Sequence, residues 1–562
     1  MVIANPAAQR PSFAELYAPK LLTVLREGYG LAEARADLLA GITVAIVALP
    51  LSMAIAIASG TTPDRGLYAA IFGGFFVSLL GGSRFQIGGP AGAFIVLVAL
   101  SVERHGIEGL LLATVLSGLI LMAAGFLRLG TYIKYIPYPV TVGFTAAIAL
   151  IIFASQIHDL FGLTLPGKEP GPLIAKLRAI AQAAPTLNLA AVGVSLATIA
   201  IIGGLRRWRP HWPGFLIAIG MAAIGALLLG LPVETIGSRF GGIPQSLPAP
   251  HLPPISMHRI AAILPDAFSF ALLGAIESLL SASVADGMTG RRHRSNCELV
   301  AQGVANVASG LFGGICVTGT IARTATNVRA GARGPFAGII HSLFLMGFVL
   351  VAAPLARYIP LAALAGVLAV VAWNMIEKEA LAALLRSGDA AALASTVVLT
   401  IFRDLTEGIL VGFAISAILF MNRMAKSVSV ETQLLLPPRD VADSAERAGA
   451  YVASGKRSSQ QMVFRISGAF FFGAASTVAA VLDRIAEWPK VFVFDFSAVP
   501  ILDSTGARVI HGFAKKLRRH GTTLVIAGAI RPVRHELWTH GVRPPLVRYK
   551  RKVDDAVSGP AP

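Results

Sequence analysis

The sequence predicts an α-helical polytopic membrane protein of about fourteen spans, followed by a small α/β domain. Only 14% of the 562 residues are charged and the mean hydropathy is +0.70, whereas a soluble chain carries roughly a quarter charged residues. Apolar runs of about 15–23 residues, the length of membrane-spanning helices, fill residues 36–425. Beyond them, short strand and helix patterns alternate, which is typical of an α/β domain.

Fourteen apolar runs are separated by polar or glycine-rich breaks. The third and the tenth are too short to cross about 30 Å of hydrocarbon alone at about 1.5 Å per residue. The predicted spans are 36–58, 67–81, 89–103, 107–127, 139–159, 187–205, 214–231, 262–285, 297–313, 320–330, 335–353, 360–376, 390–403 and 408–425.

Basic residues fall in alternate loops, which the positive-inside rule places in the cytoplasm. Because the number of spans is even, both termini are expected there as well. Topology and attraction to anionic lipids then explain the net charge of +18, and no nucleic-acid partner is expected. The loop residues are Arg128, Lys134, Arg206, Arg207, Arg209, Arg291, Arg292, Arg294, Arg329, Arg333, Arg423 and Lys426.

Changes in composition divide the chain into four parts. Residues 1–35 are a polar N-terminus, 36–425 the membrane domain and 426–460 a polar linker. The α/β domain covers 461–555, where "KVFVFDFSAV" has the pattern of a strand and "STGARVIHGFAKKLRRHG" that of an amphipathic helix.

The membrane domain shows two similar halves. The first span and the span some 230 residues later each begin with an aspartate, Asp37 and Asp266. The short third span follows "FQIGGPAGAF" and the short tenth follows "GGICVTGTIART". Short, Gly/Pro-interrupted segments at matching places in two halves indicate a transporter binding site. Seven spans per half would make the repeats inverted.

A half-helix that starts inside the membrane presents free N–H groups and the positive end of its dipole. Two such ends facing one cavity form an anion site. Arg323 adds a positive charge, which either contacts the anion or holds the half-helix in place. The alternatives are that the glycines serve only close helix packing and that Arg323 lies at an interface or binds phospholipid. The candidate donors are Ala91, Gly92, Ala93, Phe94, Thr320, Ile321, Ala322 and Arg323, and Gly319 is a further candidate for substrate binding.

Glu277, in the apolar run "GAIESLLSAS", is a carboxyl at membrane depth and therefore a candidate functional residue. Ser281 lies one helical turn further on the same face. Carboxyl and hydroxyl oxygens can bind Na⁺, or Glu277 can carry a proton. Either cation would offset the repulsion between Glu277 and an anionic substrate. The alternative is a structural ion pair between Glu277 and Arg323.

Four stretches, in their order and spacing, resemble the sulfate permease (SulP) family of anion transporters over nearly the whole chain. They are "GLYAAIFGGFFVSLLGGSRFQIGGPAGAF", "LGAIESLLSASVADGMTGRRHRSNCELVAQGVANVASGLFGG", "IARTATNVRAGA" and "DFSAVPILDSTGARVI". The resemblance implies a seven-plus-seven inverted repeat with core and gate domains, elevator-type motion, a cytoplasmic STAS domain and a homodimer. "LGAIESLL", "NVRAGA" and "VVAWNM" resemble a bacterial member that carries C4-dicarboxylates.

The resemblance also implies roles for single residues. Glu277, Ser281 and Gly319 fall at cation-site positions of a bicarbonate-transporting member, while Thr320 is one place away from the last ligand, whose position here is Ile321. That departure favours H⁺ over Na⁺. Ser504 matches a serine that is phosphorylated in stand-alone STAS regulators, and the alternative is a plain helix N-cap by Asp503 or Ser504.

We therefore predict a secondary active transporter of a small anion in the bacterial inner (plasma) membrane, with no cofactor other than a coupling ion. A C4-dicarboxylate with H⁺ is favoured, and bicarbonate or sulfate with Na⁺ is the alternative. An anion channel, or a sensor that recruits a cytoplasmic protein through the STAS domain, are alternatives of another class. No motif indicates an enzyme.

Overall fold

The structure is a computed structural model that describes residues 12–133, 137–165, 167, 173–209, 212–386, 389–403, 405–426, 429–433, 461–471 and 488–557. The chain forms two compact units, residues 1–413 and 414–562. Most of the linker predicted at 426–460 lies outside the described residues, and so does Lys134.

Helices build almost all of the first unit. A π-helical turn, Ala69–Gly73, joins two of them, and a 3₁₀ turn, Gly92–Phe94, precedes another. The helices are α1 (Phe13–Tyr17), α2 (Lys20–Arg26), α3 (Leu31–Ala58), α4 (Pro63–Tyr68), α5 (Gly74–Leu80), α6 (Ile95–Phe126), α7 (Gly130–Ile133), α8 (Tyr138–Leu160), α9 (Leu173–Ala183), α10 (Leu189–Trp208), α11 (Gly214–Leu228), α12 (Ile236–Phe240), α13 (Met257–Thr289), α14 (Ser295–Leu311), α15 (Ile321–Arg329), α16 (Phe336–Ala356), α17 (Leu361–Met375), α18 (Lys378–Leu385), α19 (Ala390–Phe402) and α20 (Leu405–Lys426), the last of which runs into the second unit.

Each predicted span coincides with a helical segment, and the prediction of a polytopic helical protein is confirmed. Within the described residues, seven helices are long and apolar enough to cross a membrane alone, or eight if α17 and α18, which meet at a 42° bend, count as one. The predicted third and fourth spans form one element that is kinked at Gly106. Gly106 has a φ of 69°, a backbone conformation that glycine adopts without strain.

The helices of the first unit pack in two groups. In one group α6 packs against α13 and α14, and α3 packs against α16. In the other, α17 packs against α8 and α10, and α8 also packs against α19. Close approach of α6 and α14 depends on Gly118 and Gly303, because a Cβ on either residue would meet the carbonyl oxygen of the other.

Two short strands, β1 (Gly88–Gly89) and β2 (Thr318–Gly319), form a two-stranded sheet inside the first group of helices. All four residues are buried. Irregular backbone inside a membrane protein is tolerated where the protein itself surrounds it.

The second unit contains a five-stranded sheet in the order β3-β4-β5-β6-β7. Strands β4 to β7 run parallel, and β3 pairs with β4 in the antiparallel direction. The alternation of strands and helices confirms the predicted α/β domain. The strands are β3 (Ser429–Gln433), β4 (Gln461–Ser467), β5 (Val491–Ala498), β6 (Thr523–Ala527) and β7 (Arg548–Lys550), and the helices are α21 (Ser504–Arg519), α22 (Arg531–Thr539) and α23 (Val553–Val557).

Candidate functional site

The two glycine-rich segments that were predicted to start half-helices lie side by side. Strand β1 pairs with β2 in the antiparallel direction, with Gly88 opposite Gly319 and Gly89 opposite Thr318. The 3₁₀ turn and α6 follow β1 closely, and α15 begins two residues after β2. The short sheet therefore holds the two helix starts together.

Neither helix start has a side-chain cap. Ala91 and Thr320, which precede the two helical turns, have extended backbones. In α15 the N–H of Thr324 donates to the carbonyl of Thr320 at 2.9 Å, so the N–H groups of residues 321–323 precede the first bond of the helix. Uncapped N–H groups at the positive end of a helix dipole are suited to binding an anion.

Two of the predicted N–H donors already donate hydrogen bonds to carbonyl groups of the protein itself. The N–H of Thr320 donates to the carbonyl of Ile87 at 3.1 Å, and the N–H of Phe94 donates to that of Ala91 at 3.1 Å. Of the remaining donor residues, Ala91, Ala93 and Arg323 are buried. The accessible part of the two helix starts is Gly92 and Ile321, which are half-buried, and Ala322, which is exposed.

Helices of the other packing group face the first helix start. A Cβ built on Gly92 would lie 3.0 Å from Cδ1 of Ile152 on α8 and 3.9 Å from Sδ of Met375 on α17. The candidate site thus lies where the two groups of helices meet. An anion that enters there would pass between them.

Arg323 lies behind the helix starts. Its side chain is 1% exposed, and Nη2 donates to Oγ of Ser52 at 3.1 Å and to the carbonyl of Pro90 at 3.2 Å. Nη1 lies against Gly89, and neither Nη1 nor Nε has a hydrogen-bond partner among the described residues. In this conformation Arg323 holds the segment before α6 and places a positive charge beneath both helix ends.

Glu277 and Ser281 lie on α13, which packs against α15 and β2. Glu277 is 8% exposed, and within the described chain its carboxylate makes no ion pair, so the structural pair with Arg323 is absent from this conformation. The hydroxyl of Ser281 is 3.0 Å from that of Thr324, whose Oγ1 also accepts from the N–H of Ile87 at 3.1 Å. Ser281 therefore helps to tie α13 to α15 and β1.

Sequence reasoning missed a set of uncharged polar side chains that fix the two interrupted segments. Amides and hydroxyls inside apolar runs were the available signal, since such groups need buried partners. Gln86 Nε2 donates to Ser278 Oγ (2.8 Å), Thr318 Oγ1 to the carbonyl of Gly274 (3.1 Å), Asn327 Nδ2 to that of Phe85 (2.9 Å), and Asn306 bonds both the N–H and the carbonyl of Val317 (2.9 and 2.8 Å).

A cavity of about 900 Å³ begins beside the first helix start, at Ile95 and Ile151. It extends past the C-terminal end of α3 to the loops around residues 162–165 and 232–234. Its charged lining includes both signs, for example Arg65 and Glu103. The cavity thus extends from these loops to the neighbourhood of the first helix start.

Similarity to known proteins extends over both units. Residues 35–398 match the sulfate permease family, and residues 453–556 match the STAS domain. The chain belongs to the sulfate permease family. This membership confirms the resemblance seen in the sequence, and it makes the chain a multi-pass membrane transporter with a C-terminal STAS domain rather than a member of an enzyme family.

Two bacterial relatives match this chain nearly from end to end. YvdB of Bacillus subtilis, named as a candidate sulfate transporter, is 37% identical over 89% of this chain and 93% of its own length. The bicarbonate transporter BicA of Synechocystis is 31% identical over 88% of each chain. Among solved structures, the inward-facing state of murine Solute Carrier 26 family member A9 shares the fold, with a TM-score of 0.83, 19% identity and coverage of 98% of this chain and 96% of that one.

In the STAS domain of this chain, Ser504 is the first residue of α21 and is exposed. Asp503 is the N-cap, and its carboxylate accepts from the N–H of Gly506 at 2.8 Å. The helix start is thus capped by Asp503, while the hydroxyl of Ser504 is accessible. Phosphorylation of Ser504 stays a prediction.

Proposed function

We propose that this chain is a secondary active transporter that moves a small anion by alternating access. The observation that carries the proposal is the pairing of β1 with β2, which brings two uncapped helix starts together above the charge of Arg323. Two sets of N–H donors and one buried guanidinium favour a compact oxyanion or carboxylate. The neighbouring helices α8 and α17 would form the opposite wall.

Coupling to a cation is assigned to Glu277. A buried carboxylate near an anion site repels the substrate unless a cation neutralises it. H⁺ is favoured over Na⁺, because Na⁺ needs several oxygen ligands and the side chain of Ile321 supplies none at the position of the last cation ligand.

The favoured substrate is a C4-dicarboxylate, on the strength of the sequence stretches around Glu277, Arg329 and Trp373. Bicarbonate and sulfate are the second candidates, because the relatives BicA and YvdB carry those names. All three anions present negatively charged oxygens, the groups that helix N-termini bind. The site would therefore distinguish them by size and total charge.

Alternating access would move the group of helices around β1 and β2 against the group around α8 and α17. We further propose a homodimer in the bacterial inner membrane with cytoplasmic termini. The STAS domain would lie in the cytoplasm, within reach of a protein partner. The alternation of basic loops supports this orientation.

Uptake by the purified chain in proteoliposomes tests the proposal. Labelled succinate, sulfate and bicarbonate are supplied separately, with an inward gradient of either H⁺ or Na⁺. We expect saturable uptake of one anion that the H⁺ gradient accelerates. Uptake that responds only to the Na⁺ gradient would show that Na⁺, not H⁺, is the coupling ion. Absence of uptake for all three anions would contradict the proposal.

Two rival functions give different outcomes in the same system. A channel would produce unitary anion currents in planar bilayers and no counterflow of labelled substrate. A sensor would signal through a partner that binds the STAS domain, and anion uptake would not be its function. A chain that lacks residues 430–562 would then lose partner binding. Saturable counterflow that persists in the shortened chain favours the transporter.

A further inference from the structure

Helix α21 of the STAS domain presents a strongly basic surface to solvent. Its last two turns carry Lys515, Lys516, Arg518 and Arg519, and the whole helix contains no aspartate or glutamate. Lys515, Arg518 and Arg519 are exposed, and together with Leu546 they line a shallow depression of about 390 Å³. We call the surface formed by Lys515, Arg518 and Arg519 the basic face.

The basic face is not neutralised by other side chains of the domain. Within the described residues, none of its three cations forms an ion pair with a carboxylate. Lys516, by contrast, lies over the ring of Trp488 at 5.4 Å. The loop that contains Leu546 contributes a further exposed cation, Arg543, rather than a counter-charge. The basic face is therefore open to an anionic partner.

The clustering of these charges is unfavourable for the helix itself. Lys515 lies three residues before Arg518 and four before Arg519, and like charges at these spacings are neighbours that destabilise a helix. Cations in the last turn interact favourably with the helix dipole, but Lys515 precedes that turn. The dipole thus does not account for the whole cluster, whereas an anionic partner would.

The basic face belongs to one side of the five-stranded sheet. Successive side chains of a strand point to opposite faces. On β5, Phe492 and Phe494 join the buried cluster that includes Phe513 of α21, while Val493 joins a second cluster with Ala556 of α23. Helices α21 and α23 therefore lie on opposite sides of the sheet, and a partner of the basic face would approach from the α21 side.

The end of the last membrane span reaches this same unit. Ala425, near the end of α20, packs against the buried cluster that includes Phe513. Strand β3 begins at Ser429, three residues after α20 ends at Lys426. Such a short attachment gives the bilayer surface a high effective concentration around the domain. Among cellular polyanions, the anionic lipids of that surface are the ones that the attachment brings within reach.

The composition of the basic face suits lipid head groups better than a protein or a single-stranded nucleic acid. Protein interfaces are centred on buried aromatic or apolar anchors, and single-stranded nucleic acids stack their bases on aromatic rings. Here Leu546 is the apolar residue of the depression, and Phe513 of α21 is buried. Anionic lipids attract exposed cations without such anchors, within a Debye length of about 8–10 Å.

We propose that the basic face of α21 docks the STAS domain onto anionic lipid head groups of the bilayer that holds the membrane unit. Its two arginines can each bind two phosphate oxygens, and Lys515 contributes a point charge. Each cation near an anionic surface strengthens binding roughly fivefold, so three together contribute about a hundredfold. The inference requires a chain anchored in a membrane, but neither a particular anion nor a particular coupling ion.

Quenching of a fluorophore by head-group-labelled lipid tests the docking. Full-length G512C carries the fluorophore, because Gly512 is exposed with open space around it, one turn from Lys515, and both native cysteines are buried. The protein is placed in nanodiscs of phosphatidylcholine, alone or with one quarter phosphatidylglycerol, each with a trace of nitroxide-labelled lipid. We expect phosphatidylglycerol to increase quenching at least about threefold, and high salt to remove the increase. A label at D555C, exposed on α23, should show no increase.

Neutral variants locate the effect on the helix. In the G512C background, K515Q/R518Q/R519Q should abolish the increase that phosphatidylglycerol causes, with an unchanged melting temperature because all three side chains are exposed. The matched control removes three exposed cations in and directly after β7, and should keep the increase; it is R548Q/K550Q/R551Q.

Three outcomes would overturn the proposal. The first is equal quenching of the label at residue 512 in the two lipid compositions, and the second is an increase that persists in K515Q/R518Q/R519Q. The third is a DNA duplex that binds through the basic face while phosphatidylglycerol leaves the label unchanged, which would assign this face to a nucleic acid. The assay requires no transport and nanodiscs expose both leaflets, so its failure is distinguishable from failure of the proposed anion transport.

Discussion

Gly89 lies directly against the guanidinium of Arg323, so that a Cβ at position 89 would overlap Nη1. The contact joins the two interrupted segments a second time, in addition to the β1–β2 pairing. Because Arg323 also donates to the carbonyl of Pro90, its side chain spans from one half-helix to the start of the other. The position of the first helix start therefore depends on the absence of a side chain at residue 89.

We expect G89A to disrupt the site. The new methyl group must displace a buried charged side chain, and over-packing of this kind costs about 1–3 kcal/mol. Anion uptake in proteoliposomes should fall at least tenfold, with a lower melting temperature. Gly347 on α16 has open space around its Cα, so G347A is the matched control and should leave uptake unchanged. Wild-type uptake in G89A would contradict the assigned contact.

The second prediction concerns the charge of Arg323. R323A removes the guanidinium beneath the two helix starts and its bonds to Ser52 and Pro90. Hydrogen bonds to charged groups contribute roughly 1.5–3 kcal/mol, which corresponds to a loss of about ten- to a hundredfold in anion affinity. Calorimetry measures the affinity directly.

S52A is the control for R323A. It removes one acceptor but keeps the guanidinium charge and its bond to Pro90, so it should weaken anion binding less than R323A does. Equal affinities of R323A and wild type would exclude a role of Arg323 in holding the anion.

The sequence was sufficient to predict the membrane fold, because apolar runs are the strongest signal in a membrane chain. It also predicted the two interrupted helices, since glycine and proline mark where a helix starts. It could not show that Arg323 lies behind the helix starts, because the direction of a side chain follows from tertiary packing. For the same reason the role of Ser52 was not recognised, since it is a single polar residue in an otherwise apolar run.

The third prediction separates transport from coupling. E277Q keeps the size of the side chain and removes its ability to change charge. We expect the protein to reach the membrane and to bind the anion, while uptake no longer responds to a pH or Na⁺ gradient. Initial uptake rates across pH 5–8, with and without Na⁺, provide the measurement.

S278A is a suitable control for E277Q, because Ser278 is the neighbouring residue and accepts a hydrogen bond from Gln86. It should retain the response to the gradient even if the rate falls. Rates in E277Q that equal those of the wild type under every condition would remove Glu277 from the mechanism.

The last prediction concerns Asp495 on β5 of the STAS domain. Burial raises the pKa of this carboxyl, but hydrogen bonds from Ser497 and Arg465 outweigh burial, so the pKa lies below its usual value. Nε of Arg465 donates to Oδ2 at 2.7 Å, and the N–H of Ser497 donates to Oδ1 at 2.9 Å. A lowered pKa in the folded state means that the ionised carboxylate stabilises the domain.

This stabilisation is complete above the unfolded pKa of about 3.9 and is lost as pH falls through the lower, folded value. D495N should therefore accelerate amide hydrogen exchange in β4 and β5 at pH 7, by an amount equivalent to about 1–3 kcal/mol. The difference from the wild type should shrink once the pH is below both pKa values. Asp555 is exposed on α23, so D555N should exchange like the wild type at both pH values. Equal exchange of D495N and wild type at pH 7 would show that the Arg465–Asp495 pair does not stabilise this sheet.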